Sequence, residues 1–280
     1  MKQLVALTSP PTHIARYEGI RDRKKHVVRN VLIANAVTIA SRFTELEAAI
    51  AAGTLNLIGL SPLIDISSEL RSCYDSETKR LVDLKEAIRK AQPAGQLKYC
   101  PMCGTTINHP FDHYLPAVRF PEFSVHPLNV IPCCSKCNSI KDAFWLCPAG
   151  QRLFIHGYAD AIPTAAFLSV ELVTRPPLTA VGARFDLSQA GMNLNDWTLI
   201  KNHFDRLGLI SRFNDLGNDE ISEMLRSAKA FLQNGGADVE QFLSSQAENF
   251  STVHGANHWR AVLLKALSLH PLLREWIEAA

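Results

Sequence analysis

Apolar residues in this chain recur three and four apart over long stretches, with β-branched and aromatic residues concentrating in strand-like segments after residue 150. Over residues 26–52, Leu32, Ala36, Ile39, Phe43, Leu46 and Ile50 form one stripe, which predicts a single long helix stopped by Gly53. A Pro-interrupted apolar stretch, LNLIGLSPLIDI, follows. A second helix is predicted from near Glu77 to Ala91, with Asp75 or Ser76 as cap and Leu81, Leu84 and Ile88 as its apolar face. QPAGQ at 92–96 breaks it and marks a boundary. Further on, LFIHGYAD and FLSVELV concentrate β-branched and aromatic residues and read as strands. RPP at 175–177 ends the second, and ARFDL offers a third. From Asn195 the helical period returns. Asp196 is the expected cap for a helix carrying Trp197, Ile200, Phe204 and Leu207, stopped by Gly208. Ile221, Leu225, Ala228 and Phe231 make another stripe ending at Asn234-Gly235, and Val239–Phe250 and Trp259–Leu267 complete the set. No internal repeat or low-complexity segment occurs. The pattern predicts an α+β protein with an N-terminal helical segment (1–92), a cysteine-bearing core (93–150), a short β extension (151–189) and a C-terminal helical segment (190–280).

Composition narrows the picture modestly. With 280 residues, 47% hydrophobic and 20% charged, the chain can bury a sizeable core. A net charge of +2 leaves nucleic-acid contact to local patches. One such patch sets Arg16, Arg21, Arg23, Lys24, Lys25 and Arg29 against Glu18 and Asp22. It reads equally as a DNA-tracking face or as a solvated helix start. The N-terminal apolar run Leu4–Leu7 is too short for a signal h-region, and no run reaches membrane-span length. Seven cysteines, four of them in knuckle spacing, suit a reducing cytoplasm better than a disulfide framework. A cytoplasmic, membrane-free protein is the expectation.

The chemistry concentrates between Tyr99 and Trp145. Two Cys-x₂-Cys pairs, Cys100/Cys103 and Cys134/Cys137, have the spacing of a four-thiolate zinc site, which is closed and therefore structural. Cys133 is out of phase and reads as a packing residue. Between the pairs stands Asp112-His113, whose side chains leave opposite faces of an extended backbone. Asn129, Asn138, Lys141 and Asp142 follow. His156 is expected in the interior. His254 and His258, four apart but with Gly255 between them, are expected to be structural.

Taken together, YCPMCG, FDHYLP, PLNVIPCC and SKCNSIK resemble the HNH endonuclease family in its zinc-knuckle, ββα-metal branch, with Asn138 where a His is usual. The resemblance covers about 50 residues. It implies a DNA phosphodiester hydrolase acting in phage defence or restriction, with His113 as general base and Asp112 and Asn138 holding a Mg²⁺-like ion. It also implies that Asn129 fixes the loop that orients His113. Asp142 is a further ligand candidate, and Lys141 is either a phosphate contact or a solvated lysine. The expected cofactors are a structural Zn²⁺ and a catalytic divalent ion. Two alternatives stand beside this reading: a nuclease subunit active only with a partner such as an ATPase, and a non-catalytic zinc ribbon that binds nucleic acid. Five basic side chains against three acidic ones over 93–152 predict weak autonomous DNA binding, so the flanks are expected to dock a partner protein or a second copy.

Overall fold

A computed structural model describes residues 2–106, 110–174 and 181–280. It is α+β and mostly helical, with two separate two-stranded antiparallel sheets among the described residues. No helix among them is long and apolar enough to cross a membrane. The chain divides into two compact units, one of residues 3–102 and 106–161, the other of 162–280 with 1–2 and 103–105.

The expected boundary near residue 92 does not separate these units. Gln92 accepts from Val5 N and donates to Val5 O, both at 2.8 Å, and Gln96 donates to Gln3 O at 2.8 Å. The residues that break the helix thus tie the N-terminal segment down, and the helical segment shares the first unit with the cysteine-bearing core apart from residues 103–105.

That unit begins with α1 (His13–Arg21). The long helix expected over 26–52 is two helices, α2 (His26–Ala34) and α3 (Ala36–Ala52). At Asn35 the backbone leaves helical values (φ −104°, ψ 11°), and its side-chain amide donates to Val31 O at 2.9 Å. A short polar side chain here competes with the helical ladder. The stripe survives the break, since Leu32, Ile39, Phe43 and Leu46 are all buried, and Gly53 ends α3 in the left-handed region at φ 68°. An unanticipated helix, α4 (Ser67–Asp75), buries Leu70 and Cys73. In α5 (Lys79–Lys90) the expected apolar face is buried, but Thr78 caps the helix by accepting from Leu81 N, in place of Asp75 or Ser76.

β1 (Phe111–His113) then pairs antiparallel with β2 (Val130–Pro132), His113 opposite Val130, and α6 (Ser135–Lys141) follows. LFIHGYAD is not a strand. The Asp160 carboxylate accepts two hydrogen bonds from Arg152 at 2.9 and 2.8 Å and the His156 N–H at 2.6 Å, which folds the segment into a loop.

The second unit carries a hairpin of β3 (Leu168–Thr174) and β4 (Val181–Leu187); the RPP expected to end its first strand lies outside the described residues. Helices α7 (Leu194–Leu207), α8 (Leu209–Gln233), α9 (Val239–His254), α10 (Trp259–Ser268) and the unanticipated α11 (Leu273–Ala279) follow. Asn193, two residues before the expected Asn195 and three before the expected cap Asp196, caps α7 by accepting from Asp196 N at 2.9 Å. Two side chains one turn apart on α8, Asn214 and Asn218, accept from Phe185 N (2.7 Å) and Ala183 N (3.0 Å). The helix thereby satisfies the outward backbone groups of an edge strand. His254 and His258 are buried, with His258 Nε2 3.1 Å from Gly104 O.

Candidate functional site

Cys100, Cys103, Cys134 and Cys137 are buried, and their sulfurs lie within 4.8 Å of one another. Cys134 is also the N-cap of α6, its sulfur accepting from Cys137 N at 3.4 Å, while Cys100 Sγ accepts from Cys134 N at 3.2 Å. Amide hydrogens directed at sulfur favour the thiolate over the thiol. Four soft, clustered donors form a set that can hold one tetrahedral metal ion. Cys133 stands outside the group: it is buried, and its N–H donates to Pro110 O. None of the seven cysteines forms a disulfide.

The group fixes the start of α6, and α6 carries Asn138, with Asp142 just beyond its end, to a cleft of 640 Å³ that Asp112 and His113 also line. Four of the residues singled out from sequence therefore share one wall. Asp142 follows the last helical residue with φ 45° and ψ −133°, a conformation that favours glycine and costs on the order of 1–3 kcal/mol.

His113 is oriented by the loop between β1 and β2. Its Nε2 lies 2.8 Å from the carbonyl oxygen of Ser124, which accepts only, so in the neutral ring Nε2 carries the proton and Nδ1 is the basic nitrogen. Burial holds the imidazole below its usual pKa, opposed by the Ser124 hydrogen bond and by the charge of Asp112. Asn129 is fully buried and does not reach the cleft. Its Oδ1 accepts from Leu115 N at 2.7 Å, and its Nδ2 donates to Leu115 O and Phe123 O, each at 3.1 Å. One amide thus closes both ends of the loop around Ser124. From outside, Arg42 of α3 donates to Glu122 at 2.7 Å, a buried pair, and to Gly59 O at 2.8 Å.

Lys141 is neither a solvated lysine nor a phosphate contact. It is 1% exposed, donates to His113 O at 2.6 Å, and stands 3.2 Å from Asp112 Oδ2. Periodicity alone gave no sign of this; a lysine at the end of a helix looks solvated until the strand packs on it. Tyr74 was also missed. From α4 its hydroxyl donates to Phe111 O at 3.1 Å, and its ring meets the His113 ring at 4.3 Å. Only the fold brings it there.

The carboxylate Asp112, with the amide oxygen of Asn138 and the nearby Asp142, is a hard-oxygen set. Among the described residues it is not one of the groups in which three or more His, Cys, Asp or Glu ligand atoms converge. A sparse set of hard oxygens, one of them on a half-buried carboxylate paired with Lys141, could hold only an ion that keeps several of its own waters.

His13, Glu47 and His126 do converge within 4.8 Å. His126 Nδ1 accepts from Leu128 N at 3.1 Å, so its proton sits on Nε2, which faces Glu47 at 3.4 Å. His13 meets Glu47 at 2.8 Å and Leu7 O at 2.9 Å. Hydrogen bonding from His126 and His13, against the effect of burial, brings Glu47 down to about 2. In this tautomer the proton on His126 Nε2 keeps that nitrogen from a metal, and the trio is a polar tie between the N-terminal segment, α3 and the loop.

The basic cluster is largely spoken for. Arg16 donates to Ser9 O and Pro10 O, Arg21 pairs with Glu18 and Asp22, and Lys24 donates to Ser72 O, while Arg23 and Lys25 are exposed.

No family model matches the chain, and no solved structure matches it. It is 25% identical over 184 residues to Protein ea31 of Escherichia phage lambda, an alignment covering 60% of this chain. The chain spans about 61% of that relative's length.

Proposed function

We propose that this protein is a divalent-metal-dependent endonuclease that hydrolyses phosphodiester bonds, with DNA as its substrate and His113 as general base. The observation that carries the reading is the His113–Ser124 hydrogen bond at the wall of the cleft. It leaves Nδ1 as the proton acceptor of a neutral imidazole, beside a carboxylate and an amide suited to a hard cation. In this mechanism His113 Nδ1 takes a proton from the attacking water. Asn129 acts as a positioning residue: it holds the loop, and through the Ser124 carbonyl it holds the ring. Asp112 and Asn138, with Asp142 as a third oxygen donor, would hold the ion. When bound, that ion supplies charge neutralisation at the scissile phosphate and the departing 3′ oxygen. The four cysteines would hold a structural Zn²⁺ and so anchor the start of α6.

A second reading, in which the chain acts with a partner that delivers DNA, draws on the charges around the cleft. Within 93–152, Lys141 and Arg152 are engaged in internal ion pairs, which leaves Lys98, Arg119 and Lys136 as the exposed cations.

Plasmid cleavage in Mg²⁺ or Mn²⁺ tests the proposal. His113→Ala is expected to lower the rate by about 10²–10⁴-fold without loss of zinc or fold. Cleavage at the wild-type rate would remove His113 from the chemistry.

A further inference from the structure

We propose that Lys141 is a positioning residue that dictates how Asp112 presents its carboxylate to a divalent ion, and through that the choice of ion. This rests on the endonuclease reading and deepens it. Lys141 is 1% exposed, yet an ammonium taken out of water costs several kcal/mol unless it is paired. Its partners account for it. Nζ donates to His113 O at 2.6 Å, reaches Asp142 O at 3.4 Å, and stands 3.2 Å from Asp112 Oδ2. Among the described residues that buried oxygen has no hydrogen-bond partner, and this ammonium is its charged neighbour.

Two consequences follow from the geometry. The general base and the acidic ligand share one anchor, because the same ammonium grips the backbone of His113 and the side chain of Asp112. And with Oδ2 turned into the protein against a fixed positive charge, Asp112 has one oxygen, Oδ1, to offer the cleft. A one-oxygen carboxylate suits small six-coordinate ions such as Mg²⁺ and Mn²⁺. Ca²⁺ takes six to eight oxygens and commonly gathers them by gripping carboxylates through both. Lys141 therefore selects against the larger ion by occupying its second oxygen. A lysine that served only to bridge β1 and α6 would leave the balance between ions unchanged when removed.

The experiment measures binding without turnover. Mn²⁺ is titrated into zinc-loaded full-length protein and followed by the loss of the free-ion electron paramagnetic resonance signal, with Ca²⁺ as competitor. Wild type is expected to prefer Mn²⁺ over Ca²⁺ by about tenfold or more, and Asp112→Ala to lose the site. Lys141→Met, with zinc content and helical circular dichroism intact, is expected to narrow the preference at least about fivefold, whereas Lys141→Arg preserves it. If Asp112→Ala binds Mn²⁺ as wild type does, Asp112 is no ligand, and the metal part of the endonuclease reading falls together with the inference. If Asp112→Ala loses Mn²⁺ but Lys141→Met keeps the wild-type preference, the inference alone is overturned. Should Lys141→Met fail to fold, wild type and Lys141→Arg decide: Ca²⁺ binding as tightly as Mn²⁺ to either one overturns it.

Discussion

The imidazole of His113 is held from both sides, its Nε2–H donating to Ser124 O at 2.8 Å and its ring edge-on to Tyr74 at 4.3 Å. Burial is the main influence on its titration, and burial disfavours the imidazolium. The sign follows. A base with a lowered pKa stays neutral, and able to accept a proton, at pH values where an ordinary imidazole is already charged. The acidic limb of the cleavage profile is therefore expected below pH ~6.5, the unperturbed value. A kcat/KM profile against pH checks this, and an acid limb midpoint at or above that value would contradict the buried geometry. Asp112, His113 and Asn138 were legible because their order and spacing lie within one short segment. Tyr74 and the buried state of Lys141 were not, because each depends on a neighbour from an element distant in sequence.

Among the elements, the four-cysteine group and α6 are the pair on which the cleft depends, since Cys134 caps the helix that carries Asn138 and leads into Asp142. Elemental analysis of purified protein is expected to find about one zinc per chain, and Cys134→Ser to lower the melting temperature and zinc content together. Wild-type protein without zinc, equal in stability to the variant, would refute the assignment. The β3–β4 hairpin offers a separate check, in the second unit. A Cβ on Gly217 of α8 would stand 2.8 Å from Ala183 Cβ and 3.1 Å from the Phe185 ring, so the glycine is there for close helix–strand approach. Gly217→Ala is expected to destabilise by about 1–3 kcal/mol in urea denaturation. An unchanged midpoint would mean that the helix shifts without cost. Turn and cap chemistry was partly legible: Gly53 and Gly208 stop their helices as read, while the caps Thr78 and Asn193 were misplaced by two or three residues. Ser, Thr, Asn and Asp cluster at both helix starts, and only the backbone conformation selects among them.

For the molecule as a whole, the endonuclease proposal is tested by charge, because the number of phosphates neutralised sets how firmly duplex DNA would be held. The exposed cations of the cysteine-bearing segment are Lys98, Arg119 and Lys136, fewer than its composition indicates, because Lys141 and Arg152 are spent on Asp112 and Asp160. If about three phosphates are neutralised, the slope of log K against log salt for duplex DNA is close to −3. Filter binding or fluorescence anisotropy across a salt series measures it. A slope steeper than about −6 would bring in cations from beyond this segment, with exposed Arg23 and Lys25 the first to mutate. A shallow slope favours delivery by a partner.

Local covalent order was enough to establish the four-cysteine frame, the Asp112-His113 pair and most of the helices, because ligand spacing and the 3.6-residue period are both short-range properties. It was not enough to establish how the pieces are divided. QPAGQ at 92–96 looked like a boundary, but Gln92 and Gln96 hydrogen-bond to Val5 and Gln3, and no local signal records partners 87 and 93 residues away. LFIHGYAD had strand composition, yet Asp160 gathers Arg152 and the His156 N–H into a loop, since one half-buried carboxylate with several donors outweighs a weak β preference. Asn129 could be named from its motif. Its work of pinning Leu115 to Phe123, so that the Ser124 carbonyl meets His113, exists only once the loop has closed.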